Sequence, residues 1–190
     1  WVDILRPSVH RLDLAARQEE TVALKELVGF VVEREAGGSL ISTQSGLVGL
    51  DFETGATEAV ADPHEMRAQM RFNDCKCYRS GRVWAGTMSM DVTPGMGSLY
   101  RLDADRSLHR VVTDITIPNG LAWSPDGRTL YFADSGKFTI YACDFDPETG
   151  ALGERRVLFA ETRLCRASGM TVDAKGGLWC AMWDGWSVMR

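Results

Sequence analysis

The chain has little of what would indicate a disulfide scaffold, a zinc site or a nucleic-acid surface. Its five cysteines are an odd number and include no Cys-x-x-Cys pair, which argues against a disulfide framework and a zinc site. Cys75-x-Cys77 supplies only two ligands for a soft metal, so small buried thiols are the favoured interpretation. Lysine and arginine number 21 against 26 aspartates and glutamates, and the net charge of −5 argues against a nucleic-acid partner.

Long apolar runs and helical periodicity are also scarce. No apolar run approaches the roughly 18 residues of a membrane helix, and no basic segment follows Trp1, so the sequence predicts neither a membrane span nor a signal peptide. We expect a cytoplasmic location. The one helical candidate, 15–25, is short and uncapped and is better interpreted as a loop and an edge strand.

Histidine motifs for catalysis are missing. His10, His64 and His109 are scattered near the ends of expected strands, and no His–Ser–Asp or His-x-x-His arrangement occurs. Nucleophilic catalysis therefore has no visible base in this sequence.

Glycine, by contrast, is abundant and recurs at intervals. Four segments share a small residue, an alternating strand, a polar turn with glycine and a second apolar strand, and they lie at 28–43, 73–88, 119–135 and 168–183. When they are aligned on Gly29, Asp74, Gly120 and Gly169, the spacings are 45, 46 and 49 residues. Alternation interrupted by Asp-Gly, Gly-Gly and Glu-Thr-Gly turns indicates hairpins.

This repeat predicts an all-β fold of the propeller type, because four short strands in about 40–50 residues are typical of a propeller blade. Three blades are complete between about 28 and 159, with the end of another before 28 and the start of another at 168–190, which makes about four in all. Propellers usually close with four to eight blades. We therefore expect residues 1–190 to form a single domain that is truncated at both ends.

Acids in turns and tryptophans in strands are given structural interpretations. The acids of 124–127 and 146–150 fit hairpin turns better than calcium loops. Trp84, Trp123, Trp179 and Trp183 fall mostly in strands and are expected to pack between blades.

The first strand of each blade lines the axis of a propeller, so equivalent residues of the repeat are expected to meet there. The position just before each alignment anchor holds Val28, Asn73, Asn119 and Ser168. Arg71 lies two residues before Asn73 and therefore on the same face of its strand. These polar groups either converge on a ligand or simply cap the starts of strands, and both interpretations are open.

Two motifs in this order carry a specific resemblance, RFNDCKCYRSGRVWAGTM at 71–88 and NGLAWSPDGRTLYFADS at 119–135, and a Gly-Met segment follows at 169–170. The chain resembles the senescence marker protein/gluconolactonase/regucalcin family over its whole length. The resemblance implies a six-bladed propeller of roughly 270 residues that holds one divalent cation, Ca²⁺, Zn²⁺, Mn²⁺ or Mg²⁺, and hydrolyses sugar lactones.

The family's functional positions can be placed on this sequence one by one. The resemblance implies substrate contacts at Arg71, Asn73 and Asp91, and a metal ligand at Asn119. The family's catalytic aspartate, which also binds the cation, falls on Ser168, and a hydroxyl is a weak neutral ligand with no basicity near neutral pH.

Three functions follow as hypotheses. The leading one is a metal-dependent hydrolase of a small-molecule sugar lactone, impaired by Ser168. The alternative is a non-catalytic ligand-binding or regulatory propeller of the same fold, which Ser168 favours. A protein-interaction propeller or an unfolded remnant is the third, because incomplete sheets expose strand edges.

Overall fold

The computed structural model describes residues 1–63, 69–160 and 166–190, and these ranges form strands, turns and loops without a helix. Their eighteen strands make five antiparallel sheets, each a simple meander in chain order. The sheets are β1 (Val2–Asp3), β2 (Ser8–Asp13) and β3 (Gln18–Ala23); β4 (Val31–Glu33), β5 (Ser39–Thr43), β6 (Gly46–Leu50) and β7 (Thr57–Ala61); β8 (Met70–Cys77), β9 (Val83–Ser89), β10 (Gly97–Leu102) and β11 (Leu108–Ile115); β12 (Pro118–Trp123), β13 (Thr129–Asp134), β14 (Thr139–Phe145) and β15 (Leu152–Ala160); and β16 (Arg166–Val172), β17 (Leu178–Trp183) and β18 (Ser187–Met189). We call these sheets blades 1 to 5 in chain order.

Turn chemistry explains why successive strands fold back on each other. The Asp146 carboxylate accepts the backbone N–H of Glu148 at 2.9 Å, and Gly150 closes this turn with a left-handed φ of +69°. In the β12–β13 turn the Ser124 hydroxyl donates to Asp126 at 2.5 Å. The structure thus confirms that the acids of 124–127 and 146–150 belong to hairpin turns.

The hydrophobic core lies between the blades in four clusters, one at each interface of neighbouring sheets. Blades 3 and 4 meet at the largest cluster, where Trp84 is fully buried against Phe145 and Leu130. Each sheet buries apolar side chains on the faces that meet a neighbour, which is how a propeller replaces a single central core.

The number of blades differs from the sequence-based expectation of about four. The three complete blades are confirmed, but residues before 28 and from 166 onward form two three-stranded sheets of their own, so the described residues build five blades. The shortfall in the prediction has a simple cause. Strand β1 has two residues and β18 has three, which is too short for an alternating pattern to be visible. The interpretation of 15–25 as loop and edge strand is confirmed by β3.

The tryptophans divide into two groups. Trp84 and Trp123 pack between blades 3 and 4 as expected. For Trp179 and Trp183, which are 39% and 60% exposed, the expectation of packing between blades is wrong. Blade 5 packs against blade 4 on one face only, so tryptophans on its other side have no described sheet to cover them.

The described cysteines, Cys75, Cys77, Cys143 and Cys180, are free thiols, whereas Cys165 and His64 lie outside the described residues. Within the described ranges there is no helix with the length and apolarity needed to cross a membrane.

Candidate functional site

A cavity of about 320 Å³ opens where the first strands of blades 3, 4 and 5 meet. Nine side chains line it: Arg71, Asn73, Met88, Ile117, Asn119, Ser135, Arg166, Ser168 and Trp183. It combines several polar groups with a few apolar walls, which is the usual composition of a small-molecule site.

The three first strands are irregular at the same point of the repeat. The pairing register shifts between Phe72 and Cys75 in blade 3, between Asn119 and Ala122 in blade 4, and between Ala167 and Met170 in blade 5. A bulge of this kind bends the strand and re-aims a side chain. The repeated irregularity therefore sets the direction in which Asn73, Asn119 and Ser168 project into the cavity.

A chain of hydrogen bonds runs across the cavity from blade to blade. Arg71 Nη1 donates to Asn73 Oδ1 at 2.7 Å, and Asn73 Nδ2 donates to Asn119 Oδ1 at 2.8 Å. Asn119 Nδ2 donates to Ser135 Oγ at 2.8 Å, and the Ser135 hydroxyl donates to the carbonyl of Ala167. Because both ends of each amide are engaged, neither asparagine can rotate without breaking a hydrogen bond.

Asp74 supports this chain from behind. Its carboxylate accepts the N–H of Gly120 at 2.7 Å and that of Cys75 at 2.8 Å, and so joins the bulges of β8 and β12. Burial raises the pKa of Asp74 above its usual value, and the two N–H donors only partly oppose this. Asp74 is thus committed to the backbone and is not a lining residue of the cavity.

The charge of the cavity is positive. Arg71 and Arg166 line it, and no carboxylate belongs to the described lining. Burial lowers the pKa of Arg71 from its usual value, with no neighbouring acid to oppose that effect. Arg71 nevertheless stays charged at neutral pH, because a guanidinium does not lose its proton in proteins.

The structure brings together four of the residues singled out from the sequence, Arg71, Asn73, Asn119 and Ser168. Asp91 is not among the lining residues, since it lies in the exposed turn after β9, where its carboxylate accepts the Ser89 hydroxyl. Val28, which shares the repeat position, is fully buried in the cluster between blades 1 and 2.

Five lining residues were not found from the sequence: Met88, Ile117, Ser135, Arg166 and Trp183. Arg166 was accessible to the same reasoning as Arg71, because it lies two residues before Ser168 and therefore on the same strand face. Ser135 follows β13 and Trp183 ends β17. Both lie in or directly after the second strands of their blades, and the repeat alignment considered only first-strand residues as lining the axis.

The residues at this position do not fit a divalent cation. Hard cations take six or more oxygen ligands, including carboxylates. The side-chain oxygens of the described lining are all neutral and belong to the amides of Asn73 and Asn119 and the hydroxyls of Ser135 and Ser168. Asn119 Oδ1 already accepts from Asn73. Over the described ranges, no group of three or more His, Cys, Asp or Glu side chains is placed to hold a metal. We therefore derive no step through a bound cation.

Comparison with known proteins gives a consistent result. A family model described as SMP-30/Gluconolactonase/LRE-like region matches residues 1–190. Regucalcin of Danio rerio is 38% identical over 193 residues, with all of this chain and 65% of the relative covered. A 6-deoxy-6-sulfogluconolactonase of Pseudomonas putida is 34% identical over 192 residues, which are 100% of this chain and 66% of that protein.

The structural comparison agrees with the sequence comparison. The crystal structure of a calcium-binding protein, regucalcin, from Agrobacterium tumefaciens superimposes with a TM-score of 0.91 at 30% identity, covering 99% of this chain and 64% of that one. This chain therefore spans slightly less than two thirds of the length of these relatives.

Proposed function

The chain belongs to the SMP-30/gluconolactonase/LRE-like family, and we propose that its cavity binds a sugar lactone as the substrate side of a divalent-metal-dependent sugar lactone hydrolase. One observation carries this proposal: Arg71, Asn73, Asn119 and Ser168, which come from three blades, line one cavity. The sugar lactone lactonases among the relatives support the substrate class.

Arg71 and Asn73 are the proposed substrate-binding residues. Arg71 uses Nη1 for the Phe72 carbonyl and for Asn73, and its other N–H groups have no described partner. They can donate to lactone or hydroxyl oxygens, and each hydrogen bond from a charged donor contributes about 1.5–3 kcal/mol. Since Asn73 and Asn119 restrain each other, the site orients its ligand at little entropic cost.

Hydrolysis itself requires a base that activates water, and the described lining has none. Asn119 and Ser168 occupy the positions that we propose as equivalent to the family's cation ligand and catalytic acid. In this chain a neutral amide and a hydroxyl stand there, and they do not fit a divalent ion. The proposal for these 190 residues is therefore substrate orientation, with cation binding and proton transfer impaired by Ser168.

A non-catalytic ligand-binding propeller is the second candidate. The observation that favours it is the same Ser168, which leaves the substrate side of the cavity intact while the acidic group is missing. We further propose that the whole fold has six blades, because this chain covers only 65% of the Danio rerio relative. We also propose a cytoplasmic location, which the free thiols of the described cysteines support.

The test is an assay on D-glucono-1,5-lactone with the wild-type chain and the Ser168→Asp variant. Proton release is followed in EDTA and then with Ca²⁺, Zn²⁺, Mn²⁺ or Mg²⁺. We expect cation-stimulated hydrolysis to rise by about tenfold or more in Ser168→Asp, because the variant gains a charged ligand and a base.

Ser80→Asp, in an exposed turn, is the matched control and is expected to leave the rate unchanged. Stimulation of the wild-type chain by a cation would support the enzyme. Lactone binding without turnover in the wild type, combined with gain in Ser168→Asp, would support the non-catalytic candidate. Absence of both binding and turnover in the two proteins would contradict the proposed function.

A further inference from the structure

The described lining of the cavity includes two guanidinium groups and no carboxylate. Arg71 and Arg166 come from equivalent positions of blades 3 and 5, each two residues before the residue at the bulge. Neither forms an ion pair with a described residue. Charges that share a concave site act on an incoming ligand together, because the protein walls focus their field.

Arg166 contacts two aromatic rings, and its guanidinium forms no hydrogen bond to another residue of the described ranges. Its guanidinium carbon lies 5.5 Å from the centroid of the Phe138 ring and 5.6 Å from that of Trp183. Stacking contacts of this kind occupy the faces of a guanidinium. They leave its N–H donors, which lie in the plane of the group, for a ligand in the cavity.

Three acids that adjoin lining residues in sequence or share their repeat position have other partners in the structure. Asp74 accepts the N–H groups of Gly120 and Cys75, and the buried Asp134 accepts those of Thr116, Ile117 and Gly136. Glu26, which holds the equivalent position in blade 2, accepts the hydroxyl of Ser45 at 2.5 Å. Ser168 contributes a neutral hydroxyl at the point where an acid would offset the two arginines.

We propose that this cavity selects a carbohydrate that carries an anionic group, either a sugar acid or a sugar with an acidic ring substituent, and that Arg71 and Arg166 bind the anion. The inference rests on the proposed function, since the same cavity takes the sugar. The planar N–H fork of arginine matches carboxylate, sulfonate and phosphate oxygens, and a ligand that brings its own charge compensates a partly buried cation.

The test measures binding by isothermal titration calorimetry in EDTA, with four probes. D-Gluconate carries a carboxylate, and D-glucitol is its neutral counterpart. D-Glucose 6-phosphate carries a phosphate on a sugar ring, and D-glucose is its neutral counterpart. We expect at least one anion to bind roughly tenfold or more tightly than its neutral counterpart, as hydrogen bonds to charged groups predict. Preference for D-gluconate would indicate a sugar acid as the ligand, and preference for D-glucose 6-phosphate would indicate a sugar with an acidic ring substituent.

Variants locate the effect. Arg71→Gln and Arg166→Gln are each expected to reduce the preference about tenfold, and Arg166→Lys is expected to retain part of it. Ser168→Asp is expected to weaken anion binding in EDTA, because it places a like charge beside the ligand. Arg128→Gln, which removes an exposed charge in the β12–β13 turn, is the control and should have no effect. Far-ultraviolet circular dichroism verifies that each variant is folded.

The outcomes separate this inference from the proposed function. Equal binding of anions and neutral sugars, or a preference that survives both glutamine variants, overturns the inference and leaves lactone binding standing. Anion binding without any affinity for the lactone supports the inference and contradicts the proposed function. No binding by any probe overturns the inference.

Discussion

Asp74 is a carboxylate beside the candidate site that has a structural role. It lies beside the candidate site, yet its carboxylate serves two backbone N–H groups in two different blades. Through Gly120 it fixes the backbone that carries Asn119, and it therefore positions the site without touching a ligand. The N–H donors favour the ionised form of such a carboxyl group, whereas burial disfavours it.

The pH dependence of stability is expected to show this balance. Burial dominates and raises the folded-state pKa of Asp74 above its ordinary value of 3.8, so the native state binds this proton more tightly than the unfolded state does. The resulting stabilisation is fully present below pH 3.8 and is lost as the pH rises through the folded-state pKa. The unfolding free energy of the wild type minus that of Asp74→Asn should therefore increase as the pH is lowered from about 7 to about 4.

Urea denaturation of both proteins across this pH range measures the difference. Asp105→Asn is a control of opposite sign, because the Ser107 hydroxyl lowers the pKa of this exposed acid. The wild-type minus Asp105→Asn difference in unfolding free energy should decrease on acidification, chiefly below the ordinary pKa of 3.8, so this control is followed to about pH 2. A difference for Asp74→Asn that also decreases would contradict the account of Asp74 as an acid dominated by burial.

At the scale of elements, the bulges of the first strands make the site. In a regular strand the side chain of Asn119 and the N–H of Gly120 would follow the alternation of the β12–β13 pairing. The bulge interrupts this pairing between Asn119 and Ala122, so that Asn119 is re-aimed and the N–H of Gly120 donates to Asp74. Gly120 has a left-handed φ of +51°, and a Cβ there would lie 2.3 Å from the carbonyl oxygen of Ser168. Glycine is thus required both by its conformation and by the closeness of blade 5.

Gly120→Ala is expected to destabilise the protein by about 2 kcal/mol or more, because strain at positive φ and a backbone clash add together. Gly37→Ala is the matched control, since Gly37 has a φ of +90° with no atom within 4 Å of its virtual Cβ. It should cost about 1 kcal/mol from conformation alone. Chemical denaturation measures both, and an equal cost for the two variants would show that blade 5 does not press against Gly120.

At the scale of the whole molecule, the sequence predicted the repeat well and its ends poorly. The three four-stranded blades were visible because alternation and glycine turns are local signals. Strands β1 and β18 were too short to carry such a signal. Burial of Trp183 could not be judged either, because it depends on which sheet packs against blade 5 and not on the sequence around the residue.

The candidate site was predictable to the extent that it follows the repeat. Arg71, Asn73, Asn119 and Ser168 occupy equivalent phases of first strands, so alignment of the segments placed them together. Ser135 contributes from the end of a second strand and orients Asn119 through a hydrogen bond. Its role depends on a contact between blades 4 and 5, which no single segment encodes.

The hydrogen bonds from Arg71 to Ala167 cross blades 3, 4 and 5, so the cavity exists only when all three are assembled. The central claim is that a carbohydrate binds at this junction. The most direct measurement is a crystal structure of the chain grown with D-gluconate or D-glucono-1,5-lactone. Because both N–H groups of Asn73 Nδ2 are engaged with Pro118 and Asn119, we predict ligand density in the cavity with oxygens about 3 Å from Arg71 nitrogens and with a ligand hydroxyl about 3 Å from Asn73 Oδ1. Ligand bound only at another surface, with the Arg71 cavity free of it, would contradict the claim.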